Sequence, residues 1–167
     1  HVLNKLGYTV DALAVDEGIA GYRSDTLVEL KEFCEMRSIS LKIVSFKDLV
    51  GKELDTIMKG KGTHACTTCG TLRRFLMNKY ASGYEVIATG HNADDEAQAI
   101  LMNVLRAQTQ MLTRAGPATG KQKGLTQRIK PLYFCTEKEI LTYALLEGFA
   151  GKWTECPYAH ASYRAKV

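Results

Sequence analysis

Glu85-Val86-Ile87-Ala88-Thr89-Gly90-His91-Asn92-Ala93-Asp94-Asp95-Glu96-Ala97 is the stretch whose reading decides the fold. Glu85–Thr89 has the length and apolar centre of a buried strand. Gly90-His91-Asn92 is its exit loop, where Gly90 lets a ligand approach the backbone and Asn92 can cap free amides. Three acids follow in the first turn of a helix, at the positive end of its dipole. Ala97, Ile100, Leu101, Val104 and Leu105 then recur at helical spacing and predict one apolar face.

The same alternation runs outward in both directions. Thr9–Val15 reads as a buried strand ending at Asp16-Glu17-Gly18, and His1–Gly7 as the tail of a preceding helix. Ser24 is placed to cap a helix with Leu27, Leu30, Phe33 and Cys34 on one face. Leu41–Phe46 is the next strand, and Lys47–Lys59 a helix closed by Gly60. A glycine-rich stretch from Gly60 to Gly62 leads to Cys66 and Cys69, with a helix expected from about Thr71 to Ala81. Arg128–Tyr133 makes a short strand, and Thr136 with Glu139 a capping box for a helix ending near Gly148. Strands alternating with helices of this length predict an α/β fold, a mostly parallel sheet with helices on both faces. Ligands of such sheets collect beyond the carboxyl ends of the strands. Asp16-Glu17-Gly18 and Gly90-His91-Asn92 both fall there.

The 167 residues are 46% hydrophobic and 24% charged, ordinary for a soluble single domain. No apolar run approaches the ~18 residues of a membrane span, and no signal-peptide layout opens the chain. The net charge of +4 is unevenly spread. Arg106, Arg114, Lys121, Lys123, Arg128 and Lys130 lie in a segment without Asp or Glu, leaving the remainder slightly acidic. A basic block on a near-neutral body suits a polyanion, although a solvated loop explains the same charges.

Five cysteines argue against a disulfide framework. Cys34 and Cys135 sit in apolar surroundings typical of inert thiols. Cys66-Thr67-Thr68-Cys69-Gly70, beside a glycine-rich stretch and a helix N-terminus, admits three readings. A redox pair is one, although it usually follows the first strand of a smaller fold. Structural zinc is a second, with Cys156 and either His64 or His160 completing four ligands. The third is a [4Fe–4S] cluster held by Cys66, Cys69 and Cys156 with one iron open, its charge offset by Arg73 and Arg74. Asp94 and Asp95 could likewise hold Mg²⁺, although the helix dipole alone accounts for acids in a first turn.

Six blocks in order make a specific resemblance. They are Val15–Arg23, the Cys66/Cys69 pair with Arg73-Arg74, Thr89–Ala97, Arg128–Tyr133, Glu137–Ile140 and Thr154–Tyr158. Together they resemble the archaeal and eukaryotic cytosolic tRNA 2-thiouridine synthetases of the TtuA/NcsA type, in the PP-loop ATP pyrophosphatase superfamily. The resemblance implies an adenine nucleotide alpha hydrolase-like, Rossmann-like domain that binds ATP and Mg²⁺. Such an enzyme adenylates the C2 oxygen of a tRNA uridine and replaces it with sulfur. By the same resemblance Cys66, Cys69 and Cys156 hold the cluster, and Asp94 leads as the catalytic acid, with Asp95 second. Arg73 stands where relatives carry a basic catalytic residue. Asp16, Glu17, Gly18, Gly90, His91 and Asn92 line the nucleotide site, and the Arg106–Lys130 segment grips tRNA. Implied partners are tRNA and a sulfur donor, either sulfide or a ubiquitin-like sulfur carrier protein; the implied setting is cytoplasmic, and a homodimer is compatible with it.

The pyrophosphate loop of the Ser-Gly-Gly-x-Asp-Ser type is not found, nor are the flanking cysteine-rich zinc modules. The expectation is a single catalytic domain over 1–167, a fragment cut just after that loop and inactive alone. Two other readings compete. A cytidine 2-thiolase shares the CxxC followed by two arginines, and a zinc-stabilised RNA-binding domain would do no chemistry.

Overall fold

A computed structural model describes residues 1–60, 65–149, 151 and 154–167. They form two compact units, His1–Met77 with Gly151–Tyr158, and Asn78–Ala150 with Ala159–Val167.

In the first unit, a short helix α1 (Val2–Lys5) precedes β1 (Ala12–Asp16), which is followed by α2 (Arg23–Met36) and β2 (Leu41–Ser45). β1 and β2 pair in parallel from Ala12 opposite Leu41 to Asp16 opposite Ser45. Their carboxyl ends are therefore level, and the Asp16–Gly18 loop leaves from that edge. Val15, Val44, Ile19, Cys34, Ile39, Phe46, Leu54 and Leu76 form the buried core of this unit.

Two helix expectations are corrected here. Ser24 is not a cap: α2 starts at Arg23 after Tyr22, with no side-chain cap bond. The helix expected over Lys47–Lys59 is two helices, α3 (Phe46–Val50) and α4 (Leu54–Met58). Gly51 adopts φ 71° at the end of α3, a left-handed conformation that stops the helix and favours glycine. The Ser45 hydroxyl supplies the missing cap, accepting from the Asp48 amide at the start of α3. Helix α5 (Ala65–Tyr80) begins before the predicted Thr71, so Cys66 and Cys69 lie within it rather than in a preceding loop.

In the second unit, β3 (Val86–Ala88) pairs in parallel with β4 (Gln127–Ile129). β4 is shorter than the expected Arg128–Tyr133, because the chain turns at Pro131. Helix α6 (Ala93–Leu105) carries the predicted Asn92 cap, with Asp95 returning a bond to the Asn92 amide. Helix α7 (Glu137–Leu146) has the predicted Thr136–Glu139 capping box. The apolar residues of α6 are less buried than their spacing suggests: Leu101, Val104 and Leu105 are 47%, 53% and 60% exposed. Both strand pairs are parallel and joined through helices, as an α/β fold requires. No helix among the described residues is long and apolar enough to cross a membrane.

Candidate functional site

Helical geometry assembles the first cluster. Residues three, four and seven apart share a helix face, so α5 presents Cys66, Cys69 and Arg73 along one stripe. Cys66 is exposed, and Cys69 and Cys156 are half-buried. The late cysteine comes back to this stripe. Burial pushes the Cys69 thiol up to about 11, and Glu17 adds to the rise. Cys156 and Cys66 also raise it, while Arg73 opposes them. Both thiols thus bear on Cys69 within the first unit. The Cys66 thiol also donates to the carbonyl oxygen of Tyr158, at 3.8 Å.

This donor set is three thiols beside a guanidinium. Among the described residues, no three His, Cys, Asp or Glu side chains are drawn in closely enough to hold a single metal ion. Cysteine thiolates are the ligands that hold iron–sulfur clusters, and three of them leave one iron of a [4Fe–4S] cube without a protein ligand. His64 lies outside the described residues, and His160 belongs to the second unit. Cys34 is buried in the core, and Cys135 belongs to the second unit.

Glu17 anchors the wall of this cluster. Its side chain is 3% exposed, yet it carries two guanidinium partners. Arg23 donates through Nη2 to Oε1 at 2.8 Å and through Nε to Oε2, a two-pronged pairing. Arg73 Nε lies 3.4 Å from Oε1. Asp16 closes the loop by accepting the Gly18 amide at 2.9 Å. Gly18 has φ 69°, and a Cβ there would fall 2.5 Å from the Glu53 side chain, so any other residue collides. The Asp16–Gly18 loop expected to line a nucleotide site is thus also a tightly packed turn, with Glu17 committed to two arginines.

The second unit gathers the residues around Asn92. His91 Nδ1 is 2.9 Å from the Thr89 hydroxyl, and nothing lies within 4 Å of a Cβ built on Gly90. Asp94 is exposed, and its Oδ2 accepts the Glu137 amide at 2.6 Å, tying α6 to the start of α7. Asp95 is more heavily engaged. Its Oδ2 accepts the Asn92 amide at 3.2 Å, and its Oδ1 meets Arg164 Nη1 at 2.6 Å. Asp94 therefore keeps an oxygen to offer where Asp95 has spent both.

Of the six basic residues expected to meet a polyanion, two are occupied. Lys130 Nζ pairs with buried Glu96 at 2.8 Å, and Arg128 donates to Asn78 at 3.2 Å. Lys121 and Lys123 are exposed, and Arg106 stacks over the Tyr163 ring at 3.8 Å while remaining exposed. The side chain of Arg114 lies outside the described set.

Asp55 and Tyr158 carry no signal in sequence that would have paired them. The Tyr158 hydroxyl donates to Asp55 Oδ1 at 2.7 Å across a separation of 103 residues. That bond is the main reason the phenol is pushed up to about 12. Arg23, in contrast, was legible: an arginine six residues after an acid, across a tight loop, is a candidate partner.

Residues 1–157 match the family model described as a PP-loop domain. The chain is 37% identical over 164 residues to the tRNA-5-methyluridine(54) 2-sulfurtransferase of Pyrococcus horikoshii, covering 97% of this chain and 52% of that protein. It is 41% identical over 169 residues to the cytoplasmic tRNA 2-thiolation protein 1 of Xenopus laevis, covering 98% and 50%. Among solved structures, the U34-tRNA thiolase NcsA from Methanococcus maripaludis with its [4Fe-4S] cluster superposes with a TM-score of 0.80. That match has 36% identity and covers 93% of this chain and 51% of that one. The chain spans about half the length of the curated relatives it matches.

Proposed function

Because the chain belongs to the PP-loop domain family, we propose that it is the catalytic portion of an ATP-dependent tRNA 2-thiouridine synthetase. The observation that carries this reading is the return of the Cys156 segment to α5, where the Tyr158 carbonyl, two residues after Cys156, meets the Cys66 thiol at 3.8 Å. Cys66, Cys69 and Cys156 would hold a [4Fe–4S] cluster. Bound there, the cluster would leave one iron without a protein ligand and so offer a place for the incoming sulfur. The chain's own contribution is to aim the thiols from one face of α5, and to set the Arg73 charge beside them through Glu17.

The chemistry runs in two steps. The uridine C2 oxygen attacks the α-phosphorus of ATP, forming an O–P bond and expelling pyrophosphate. A sulfide equivalent from the sulfur donor then adds at C2, and the C2–O bond breaks to release AMP. The oxygen is a poor leaving group until it is adenylated. Mg²⁺ near Asp94 would oppose negative charge growing on the phosphate, and Arg73 would serve as a basic group of the reaction. Gly90, His91 and Asn92 would border the nucleotide, with Gly90 leaving the backbone open to close approach. Arg106, Lys121 and Lys123 would meet the tRNA backbone, with Arg114 beside them in sequence. The sulfur donor would be sulfide or a ubiquitin-like carrier, the compartment the cytoplasm, and the assembly a homodimer.

The test is anaerobic purification of the full-length protein, followed by thiolation of unmodified tRNA with ATP and sulfide. Iron near four atoms per chain and 2-thiouridine in the digested product are expected. Colourless protein with one zinc per chain and no thiolated nucleoside would sink the reading in favour of a zinc-stabilised RNA-binding domain. Thiolated cytidine would transfer it to the cytidine enzymes.

A further inference from the structure

Two of the three thiols stand on a helix, but the third does not. Residues 154–157 form neither helix nor strand, so no ladder of backbone bonds fixes Cys156. Something else must bring it to Cys69. Two residues later, Tyr158 is held at both of its ends: its hydroxyl donates to Asp55 Oδ1 at 2.7 Å, and its carbonyl accepts from the Cys66 thiol at 3.8 Å. Asp55 is itself fixed. It lies in the first turn of α4, and its Oδ2 accepts the Ala20 amide at 2.9 Å. The carboxylate thus joins the loop that carries Glu17 to the segment that carries Cys156.

The link between anchor and thiol is short and stiff. Two residues span at most about 7 Å of chain. Pro157 lies between them, which fixes its own φ and restricts Cys156 to extended backbone. Holding the Tyr158 ring therefore confines Cys156 to a small volume. We propose that Asp55 and Tyr158 form a latch that positions Cys156, so that closure of the three-thiol group depends on one tyrosine hydroxyl. Retention of iron, the last consequence of the latch, rests on the three thiols being cluster ligands; the positioning of Cys156 does not.

The experiment uses full-length protein, both iron-loaded and iron-free, with Tyr158→Phe, Asp55→Ala, the double variant and Asp55→Asn. In the iron-free protein, alkylation of each cysteine is followed by mass spectrometry, with Cys69 as the internal reference. Tyr158→Phe and Asp55→Ala should each speed alkylation of Cys156 several-fold relative to Cys69. The double variant should be no faster than Asp55→Ala alone, because that change already removes the bond to the tyrosine. In Asp55→Asn the amide oxygen can take the Ala20 amide while the amide NH2 donates to the Tyr158 oxygen, so this variant should stay near the parent. Iron-loaded Tyr158→Phe should lose iron to a chelator several-fold faster. An unchanged Cys156 rate in Tyr158→Phe, or an equal acceleration of Cys69, overturns the latch. A parent that binds no iron defeats the cluster reading instead, and the alkylation rates still decide the latch.

Discussion

Arg73 Nε sits 3.4 Å from Glu17 Oε1, on a carboxylate already gripped by Arg23. Arg73 is half exposed on its own, whereas Glu17 is buried. The orientation of Arg73 is therefore set by a residue whose place is fixed by the fold. A buried carboxylate shared by two arginines costs more when removed than any exposed pair, because its partners are left without a counter-charge. Glu17→Gln should destabilise the protein by about 2–3 kcal/mol, read from urea unfolding. Arg73→Gln should cost under about 1 kcal/mol, as a half-exposed ion pair does. A loss in Arg73→Gln as large as in Glu17→Gln would show that Arg73 carries the pairing, contrary to its exposure.

Asp94 has a structural duty that complicates any catalytic one, since its Oδ2 accepts the Glu137 amide at the start of α7. Asp94→Ala should cost about 1 kcal/mol, the usual loss of a helix cap. Asp94→Asn keeps an acceptor oxygen and should retain most of that stability. If Asp94 also serves the reaction, the Asn variant should lose thiolation in the full-length enzyme while its melting temperature stays close to the parent's. Activity that falls only in step with stability would leave the residue as a cap.

The other end of that junction is pH-sensitive. Glu139 is held below the ordinary carboxylate range by the Thr136 amide and hydroxyl. A depressed folded pKa gives stability that is present above the unfolded value and lost as pH falls through the folded one. The Glu139→Gln variant should therefore unfold with less dependence on pH across the carboxylate range. An unchanged acid limb in thermal melts would remove Glu139 from that dependence.

How much of this was legible in advance depended on whether the signal was local. The strand–loop–helix at Glu85–Ala97, the Asn92 and Thr136 caps and the parallel pairing all follow from spacing and short-range bonds. The break at Gly51 was also written locally, as a glycine between two short apolar groups, but helical periodicity across it masked the stop. Gly70, a poor helix former, sits inside α5, and with the helix running from Ala65 the residues Cys66, Cys69 and Arg73 fall into a single stripe. The contact of Asp55 with Tyr158 had no such signal. It pairs an ordinary helix acid with an ordinary tyrosine far along the chain, and only the folded backbone brings them together.

Not all of the charge of the Arg106–Lys130 segment is free to meet a polyanion. Lys130 is 16% exposed and answers Glu96, so it is an internal pair rather than a phosphate contact. Lys121 and Lys123 face solvent. In tRNA binding by the full-length protein, changing either exposed lysine to Gln should flatten the plot of log affinity against log salt. The slope should fall by about 0.7–0.9 for each phosphate that is no longer neutralised. Lys130→Met should leave that slope unchanged and lower stability instead, by stranding a buried carboxylate. A flattened slope for Lys130→Met would mean that it meets a phosphate after all.

Arg164 competes for the same oxygen that a divalent cation would use on Asp95. Its Nη1 lies 2.6 Å from Oδ1, while Oδ2 is spent on the Asn92 amide. Mg²⁺ requires oxygen ligands with free lone pairs and tolerates little distortion. Binding at Asp95 must then displace a guanidinium that is bonded and of like charge. Asp94 faces no such rival, because its partner is a neutral amide. If Mg²⁺ uses the Asp94–Asp95 pair, Arg164→Gln should tighten Mg²⁺ binding several-fold, measured by titration of the ATP-loaded, full-length protein. If Mg²⁺ uses Asp94 alone, the same variant should bind with the parent's affinity, and only Asp94→Asn should weaken it. Weaker binding in Arg164→Gln would mean that the arginine orders the site rather than blocking it, and that guanidinium and cation do not compete.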